Sequence, residues 1–358
     1  MRSGPALGAI AGALAAWAMA SFGPSAALAI TPASTTPDLA KPPALPADLI
    51  SAIPAIPAPL VPDAATTASP PAAQSPASPA SAAPDAAQAA ENLKLAQDPT
   101  SRLRLAVLVN GQGPFEFLID TGSDRTVISR ELAAALKLPN GPRVIMHESA
   151  GVDDVQTVVI DHLAIGNRVI DHIEAPAVGA VNLGADGMLG VDSLRNLHIV
   201  MDFKAMRLSS SPSRAEPFDG HTIVVHGRSR FGQLILVDAR VRGVPVFVVL
   251  DSGSQLSVGN PALLKLLTGS STHSDVRRQI EIISVTGRKM MVELDDIAEA
   301  HIGGLEIRNM PLAFAQLHTF DRFGLIDQPA LLLGMDVLSQ CQRVSVDLRR
   351  REATFTLN

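Results

Sequence analysis

The sequence predicts an all-β protein of two lobes in one chain, with one short helix in each lobe. Short runs rich in Val, Ile, Leu and Phe, broken by Gly and Asn, fill the chain from about residue 92 onward, and such runs are typical of strands. An apolar run that ends in Asp, a hydroxyl residue, Gly and Ser occurs twice, at 115–123 and at 246–254. A repeat with the same order of elements around it indicates an internal duplication.

The first 29 residues are predicted to be a signal peptide. Arg2 supplies the positive charge, residues 6–20 are apolar, and Ala27-Leu28-Ala29 fits a cleavage site. The apolar stretch is short for a membrane span, and an uncleaved anchor that tethers the protein to the membrane stays open as the alternative. The single cysteine, Cys341, leaves no disulfide framework, so we expect export to a bacterial periplasm or cell envelope.

Residues 30–91 are predicted to be a disordered linker. Ala, Pro, Ser and Thr dominate this segment, and repeated Pro removes the donors that helices and sheets need. An inhibitory pro-segment is the alternative, but a segment that covers carboxylates should carry cations, and this one has only Lys41. The two lobes then follow as residues 92–215 and 216–358.

In the first lobe, the turn Asn110-Gly111 predicts a hairpin, and Ser129 is placed to cap a helix. The predicted elements are strands at 103–109 and 115–119, a helix at 130–138, a hairpin of 143–146 and 155–160, a strand at 169–178, an apolar segment at 187–194, and strands at 199–203 and 205–209.

The second lobe repeats this order, and Asn260 followed by Pro261 marks the start of its helix. The elements are strands at 234–241 and 246–250, a helix at 262–267, a hairpin of 280–285 and 289–294, a strand at 302–314, an apolar segment at 331–338, and strands at 344–348 and 353–357. Asp120 and Asp251 lie 131 positions apart, whereas Gly190 and Gly334 lie 144 apart. We therefore expect an inserted loop around residues 318–328.

Composition excludes several classes of function. The net charge is −6, no basic stripe is present and Tyr is absent, so nucleic-acid binding is not expected. One cysteine excludes an intramolecular disulfide and a cysteine-based zinc site. The nine histidines match no usual ligand spacing, so we expect neither a metal nor another cofactor.

The two motifs resemble those of aspartic proteases. Asp120-Thr121-Gly122-Ser123 and Asp251-Ser252-Gly253-Ser254 are each followed about 70 to 80 residues later by Leu-Gly-x-Asp-x-Leu, at 189–194 and at 333–338. The lobes resemble retropepsin-type β-barrel lobes fused in tandem, as in pepsin-like enzymes, and the nearest likeness is to exported bacterial aspartyl proteases. The resemblance covers roughly residues 95–358.

The resemblance implies an aspartic endopeptidase that cleaves polypeptides of unidentified sequence, as a monomer with an intramolecular dyad. Asp120 and Asp251 would share one water, the first turn resting on Thr121, Gly122 and Ser123. The supporting residues of the second turn would be Ser252, Gly253 and Ser254. In the family's pattern, the hydroxyls of Thr121 and Ser252 tie the lobes together, the glycines admit backbone amides, and the two serines after them donate to the carboxylates. Hydrogen bonds to a charged carboxylate lower its pKa, so an acid-shifted activity profile is expected.

Two exposed hairpins, tipped by Gly151 and Gly287, would be flaps over the cleft, and the absence of Tyr excludes a pepsin-style flap tyrosine. The apolar-Gly pairs would pack behind the catalytic turns; they are Leu189, Gly190, Leu333 and Gly334. A catalytically inactive, two-lobed peptide-binding protein of the periplasm is the alternative function.

Overall fold

A computed structural model describes residues 9–10, 27–33, 91–98, 101–194, 197–213, 222–230, 233–269 and 278–358. Most of the predicted signal peptide (1–29) and most of the predicted linker (30–91) lie outside these residues. No helix in the described ranges is long and apolar enough to cross a bilayer.

The described chain is mostly strand. Its strands are β1 (Ala9–Ile10), β2 (Ala29–Pro32), β3 (Glu91–Gln97), β4 (Leu103–Val109), β5 (Gln112–Ile119), β6 (Val127–Ser129), β7 (Asn140–Glu148), β8 (Gly151–Ile165), β9 (Arg168–Val178), β10 (Gly187–Leu189), β11 (Leu197–Asp202), β12 (Arg207–Pro212), β13 (Thr222–Arg230), β14 (Gln233–Leu236), β15 (Ala239–Val241), β16 (Val244–Pro245), β17 (Phe247–Leu250), β18 (Val258–Gly259), β19 (Arg278–Ile283), β20 (Lys289–Ile302), β21 (Leu305–Phe314), β22 (Ala330–Leu333), β23 (Arg343–Asp347) and β24 (Glu352–Thr356). The helices are α1 (Arg130–Ala135), α2 (Ala180–Leu183), α3 (Val191–Leu194), α4 (Pro261–Gly269), α5 (His318–Arg322) and α6 (Met335–Leu338).

Both lobes have the same strand pairing around the repeated motif. In the first lobe β10 runs parallel to β5 and antiparallel to β6. In the second lobe β22 runs parallel to β17 and antiparallel to β18. The residues paired in both parallel pairs are all buried, 117–119 with 187–189 and 247–250 with 330–333, which explains their unbroken apolar runs. The all-β, two-lobed fold class is confirmed.

A six-stranded antiparallel sheet joins the lobes, in the order β3–β12–β11–β23–β24–β13. Its central pair brings one strand from each lobe together, with Ile199 opposite Val346 and Met201 opposite Val344. All four of these side chains are buried. The interface therefore has hydrogen-bonded backbone and an apolar core, and it fixes each lobe against the other.

The prediction of one helix per lobe was wrong, because each described lobe has three. The two longer helices begin where the caps predict: Ser129 Oγ accepts from the N–H of Leu132 at 3.1 Å, and Asn260 Oδ1 accepts from that of Leu263 at 2.9 Å. The other four helices have four or five residues. Segments of about one turn carry no measurable helical periodicity.

The start of the predicted linker is also corrected. Ala29–Pro32 forms β2, which pairs antiparallel with β21 of the second lobe. Ile30 packs against the main core, and the N–H of Ala33 donates to Gly304 O at 2.9 Å. Ile and Thr favour strands, and Pro is tolerated at an edge. At the other end of the predicted linker, Glu91 opens β3.

Candidate active site

The two repeated turns meet at the interface of the lobes. Asp120 follows β5 and Asp251 follows β17, and both are buried, at 0% and 1% exposure. Their backbone N–H groups donate to Leu189 O and Leu333 O respectively, each at 3.0 Å. The apolar-Gly segments therefore lie directly behind the acids. The parallel pairing of β5 with β10 and of β17 with β22 fixes the position of each turn relative to these segments.

Four hydrogen bonds cross between the turns in matching pairs. The N–H of Thr121 donates to Ser252 Oγ at 3.0 Å, and the N–H of Ser252 donates to Thr121 Oγ1 at 3.1 Å. Each hydroxyl then donates to the strand of the opposite lobe, Thr121 to Leu250 O at 3.1 Å and Ser252 to Ile119 O at 2.9 Å. Because both hydroxyls act as donor and acceptor, their polar atoms are satisfied although no water reaches them.

Each glycine of the motif lies against the acid of the other lobe. A Cβ on Gly122 would lie 2.6 Å from Oδ1 of Asp251, and a Cβ on Gly253 would lie 2.7 Å from Oδ1 of Asp120. Both distances are shorter than a van der Waals contact. The glycines are therefore required by the close approach of the two turns, and they place each carboxylate beside the opposite turn.

The carboxylates receive backbone donors and leave one oxygen each unpaired. Oδ1 of Asp120 accepts from the N–H of Gly122 at 2.7 Å. Oδ1 of Asp251 accepts from the N–H groups of Gly253 at 3.0 Å and Ser254 at 3.1 Å. The Oδ2 atoms of both acids are buried without a hydrogen-bond partner. Two unpaired acceptors in one buried place can hold a polar reactant between them.

The predicted role of the two serine hydroxyls is corrected. Ser123 Oγ donates to Arg125 O at 2.8 Å, and Ser254 Oγ donates to Leu256 O at 2.7 Å. A hydroxyl has one proton to give, so neither donates to a carboxylate. Each instead closes the loop after its motif.

Burial dominates the electrostatics of the pair. Desolvation raises the pKa of Asp120 to about 6, against the lowering effect of the Gly122 N–H and of the charge on Arg102. Desolvation also raises the pKa of Asp251, and the negative charge of Asp120 raises it further, to well above the ordinary range. A buried pair of this kind holds one proton between its two members, and the positive charge of Arg102 favours the ionised form of Asp120. Burial therefore outweighs the lowering effect of the backbone donors on both acids, which argues against the acid-shifted activity profile expected from the sequence.

A second pair of acids braces the turns from behind, and its role was missed. Asp192 accepts from the N–H and hydroxyl of Thr126, at 3.0 and 2.8 Å. Asp336 accepts from the N–H and hydroxyl of Ser257, at 2.9 and 2.8 Å. Desolvation raises the pKa of Asp336 to about 6. The Asp in each Leu-Gly-x-Asp was the available signal, because a buried acid at the same place in two copies needs a partner in each.

Two unlike residues flank the turns at equivalent positions. Arg102 directly precedes β4 and Gln233 is the first residue of β14; the two lie 131 positions apart, as Asp120 and Asp251 do. Arg102 is 2% exposed and forms an ion pair of 2.9 Å with the buried Asp98. Gln233 is fully buried and donates through Nε2 to the carbonyl of Gly122 in the opposite lobe. Sequence reasoning missed both, because neither lies in a motif. Asp124, which the sequence left unassigned, is half-buried.

The tips of the two predicted flaps touch. The hairpin of β7 and β8 turns at residues 149–151, and that of β19 and β20 turns at residues 284–288. Gly151 and Gly287 have φ of +147° and +90°, which favours glycine. The Arg288 guanidinium donates to both carboxylate oxygens of Asp153, at 3.1 and 2.5 Å, and to Val152 O at 3.0 Å.

A buried contact lies beneath these tips. Glu148, at 0% exposure, accepts from the hydroxyl of Thr286 at 2.6 Å and lies 3.5 Å from the Arg288 guanidinium. Burial raises the pKa of this carboxyl. The two hairpins are thus joined by polar contacts, one of them deeply buried.

The single cysteine lies in the hydrophobic core. The Cys341 thiol is buried, and burial raises its pKa to about 12, so it carries no thiolate near neutral pH. Within the described ranges, no group of three or more His, Cys, Asp or Glu side chains is arranged to hold a metal ion.

Comparison with protein families finds one match in each lobe. The family described as "gag-polyprotein putative aspartyl protease" matches residues 105–196, and the family described as "Aspartyl protease" matches residues 237–337. No curated protein matches the chain. The two matches lie in tandem, together span more than half of the chain, and each contains one of the two meeting acids. The chain therefore belongs to the aspartyl proteases, as a retropepsin-like, two-lobed peptidase that hydrolyses peptide bonds.

Proposed function

We propose that the chain is an endopeptidase in which Asp120 and Asp251 activate one shared water. The observation that carries this proposal is the pair of buried carboxylates, each with an unpaired Oδ2, held together by reciprocal hydrogen bonds between Thr121 and Ser252. Carboxylates in such proximity cannot both ionise cheaply, so they share a proton. That state contains both the base and the acid that peptide hydrolysis needs.

We assign the role of base to Asp120, because the charge of Arg102 favours its ionised form. Asp120 takes a proton from the water as the water attacks the scissile carbonyl. Asp251 donates its proton to the carbonyl oxygen, which gives a neutral tetrahedral diol. As the diol collapses and the C–N bond breaks, Asp120 gives its proton to the leaving nitrogen and Asp251 takes a proton from one diol hydroxyl, so the dyad again holds one proton, on Asp251. The attack needs no covalent intermediate, because the water itself is the nucleophile.

The substrate is a polypeptide that lies between the dyad and the two hairpins, which act as flaps. Both acids are closed off from solvent, and the flap tips are joined through Arg288 and Asp153. A chain can therefore enter only after the flaps separate. Closure then removes water from around the acids, which strengthens every electrostatic contact within the site.

The setting in the cell is proposed from the sequence. A signal peptide ending at Ala29 would deliver the protein to a bacterial periplasm or cell envelope, and substrates would be polypeptides of that compartment. Because one chain supplies both acids and the six-stranded sheet between the lobes, we propose that it acts as a monomer.

The test is conservative replacement of each acid. Asp120→Asn and Asp251→Asn should each lower kcat/KM by on the order of 10⁴-fold or more, since each removes one half of a single unit. Cleavage of a diverse peptide library by the purified protein, read by mass spectrometry, measures both activity and cleavage preference. Asp171→Asn is the matched control, because it makes the same change at a surface acid with a 73% exposed side chain.

Two outcomes would contradict the proposal. Full activity in either Asn variant would show that the pair does not act as one dyad. Binding of library peptides without cleavage by the wild type would instead identify a peptide-binding protein. Thermal unfolding of each variant separates lost chemistry from a lost fold.

A further inference from the structure

The inserted segment of the second lobe lies against the flap of the first lobe. The segment comprises residues 318–328 and begins with α5; the same connection in the first lobe, between β9 and β10, is shorter and holds α2. The backbone N–H of His318 donates to Ser149 O, at the flap tip, at 2.9 Å. Nε2 of His318 lies 2.7 Å from Nδ1 of His147 on β7. The two rings are nearly parallel, with planes 10° apart and centroids 5.0 Å apart.

The contact between the two rings depends on their protonation. A nitrogen–nitrogen distance of 2.7 Å needs an N–H on one ring and a lone pair on the other. At least one imidazole must therefore be neutral. If both rings carry a proton, the bond is lost and two positive charges face each other.

We propose that the inserted segment positions the flap of the first lobe, and that acidification releases this flap by protonating both His147 and His318. The proposal rests on the proposed function only in that the flap covers the dyad. At the second flap, the corresponding segment between β9 and β10 places Asn182 against Gly287. Because the Asn182 side chain does not titrate, the first flap would be the one whose position responds to pH through this contact.

The charges around the ring pair set when it responds. Partial burial, Arg322 and His318 lower the pKa of His147, while Asp321 raises it. Asp321 Oδ2 lies 3.8 Å from His318 Nδ1, on the side away from the ring contact. The bond is therefore complete near neutral pH, with His147 as the member that resists protonation.

We call the contact between His147 and His318 the clamp. A second titrating group lies next to it. Glu148 follows His147 on β7 and accepts from the hydroxyl of Thr286 on the second flap. Protonation of Glu148 would weaken its attraction to Arg288, 3.5 Å away, which in turn bonds Asp153. Acid could therefore loosen the flap through the carboxyl alone, and the experiment must separate the two routes.

The experiment is hydrogen–deuterium exchange of residues 143–158, compared at pH about 8 and about 5 after correction for intrinsic exchange. In the wild type, the protection of this hairpin should fall by about tenfold on acidification, as expected for the loss of one hydrogen bond and the repulsion that follows. In His318→Gln, which does not titrate, protection should be nearly independent of pH.

Three further variants make the result decisive. His147→Gln should also abolish the pH response, and it serves if His318→Gln does not fold. His162→Gln is the matched control, because it makes the same change in the same lobe at the far end of β8, where His162 contacts Asp171 at 2.7 Å. It should behave as the wild type. Glu148→Gln should keep most of the pH response.

Several results would overturn the clamp. They are a wild-type flap whose protection does not change with pH, a response that survives in both histidine variants, or one that disappears in Glu148→Gln alone. Exchange does not depend on catalysis, so the two proposals fail separately. If the protein cleaves no peptide but its first flap loses protection in acid, the clamp proposal holds and the proposed function fails. If the protein is an active protease whose first flap keeps its protection at both pH values, only the clamp proposal fails.

Discussion

The two lobes are alike where they touch and unlike in what lies behind the contact. Each turn donates a backbone hydrogen bond to the apolar-Gly strand, donates one hydroxyl hydrogen bond to the opposite lobe, and places a glycine against the opposite acid. These parts follow a local two-fold relation, residue by residue. A site shared by two equivalent turns requires such symmetry, because each contact from the first turn to the second has an equivalent contact from the second turn to the first.

The surroundings of the turns do not follow that relation. Arg102 stands where the second lobe has Gln233, and the segment that reaches across to the opposite flap presents His318 in the second lobe but Asn182 in the first. A symmetric pair of acids would have no preferred base. The comparison shows that the residues common to both lobes bring the two acids together. The residues that differ between the lobes, such as Arg102 and Gln233, make the two acids unequal.

The largest effect is expected from changing the two motif glycines, which belong to the part that the lobes have in common. Gly122→Ala and Gly253→Ala each place a methyl group within 2.7 Å of the opposite carboxylate. A displacement of about 1 Å at reacting groups costs about 100-fold in rate. We therefore expect each variant to lower kcat by about 100-fold or more, measured on one peptide substrate at saturation.

Equality of the two glycine effects is the sharper result. Gly269→Ala is the control, because a Cβ there meets nothing within 4 Å, and its kcat should match the wild type. A large loss in one lobe and none in the other would show that the turns do not approach each other symmetrically.

The sequence predicts this matched part well. Each acid follows a buried apolar run, and the positions of Thr121, Ser252 and the two glycines follow from the repeat. A duplicated local pattern carries its own geometry, because strand length, turn residue and hydroxyl are all adjacent in sequence. The capped starts of α1 and α4 were predictable for the same reason.

The unmatched part was not predictable, since it depends on contacts between distant residues. Nothing local in Gln233 indicates that it reaches Gly122 of the other lobe, and nothing local in His318 indicates His147. The upward shift of the pKa of Asp120 was not predictable either, because the depth of burial of this carboxyl is a property of the assembled lobes and flaps.

The hydroxyl pair offers an intermediate effect, on stability. Thr121→Val and Ser252→Ala each leave two buried backbone groups of the opposite lobe without a partner. Each unpaired buried group costs about 1–3 kcal/mol, so we expect each variant to lower the free energy of unfolding by about 3 kcal/mol. Urea unfolding, followed by circular dichroism, measures the loss.

The double variant tests whether the four bonds form one network. Its loss should be smaller than the sum of the two single losses, because the residues share partners. Thr121→Ser is the control, since it keeps the hydroxyl and should cost about 1 kcal/mol or less. Additive losses would mean that the two turns are held independently.

The smallest effect concerns the unmatched part, as a shift of the pH profile. The kcat/KM of the wild type should fall as pH drops through about 6, where Asp120 gains its proton. The positive charge of Arg102 favours the ionised form of Asp120, so Arg102→Gln should move this acid limb to higher pH by a fraction of a unit. Arg104→Gln, which removes an arginine bonded to Gly184 O instead, should leave the limb in place.

A merely structural role for Arg102 would lower activity at every pH without moving the midpoint. The ion pair with Asp98 makes some loss of stability certain, so only the midpoint bears on the charge. A wild-type limb below about pH 4 would show that the dyad titrates as ordinary hydrated carboxylates. The flaps would then have to be open during the titration, and the polarity of the dyad would be a property of the closed state alone.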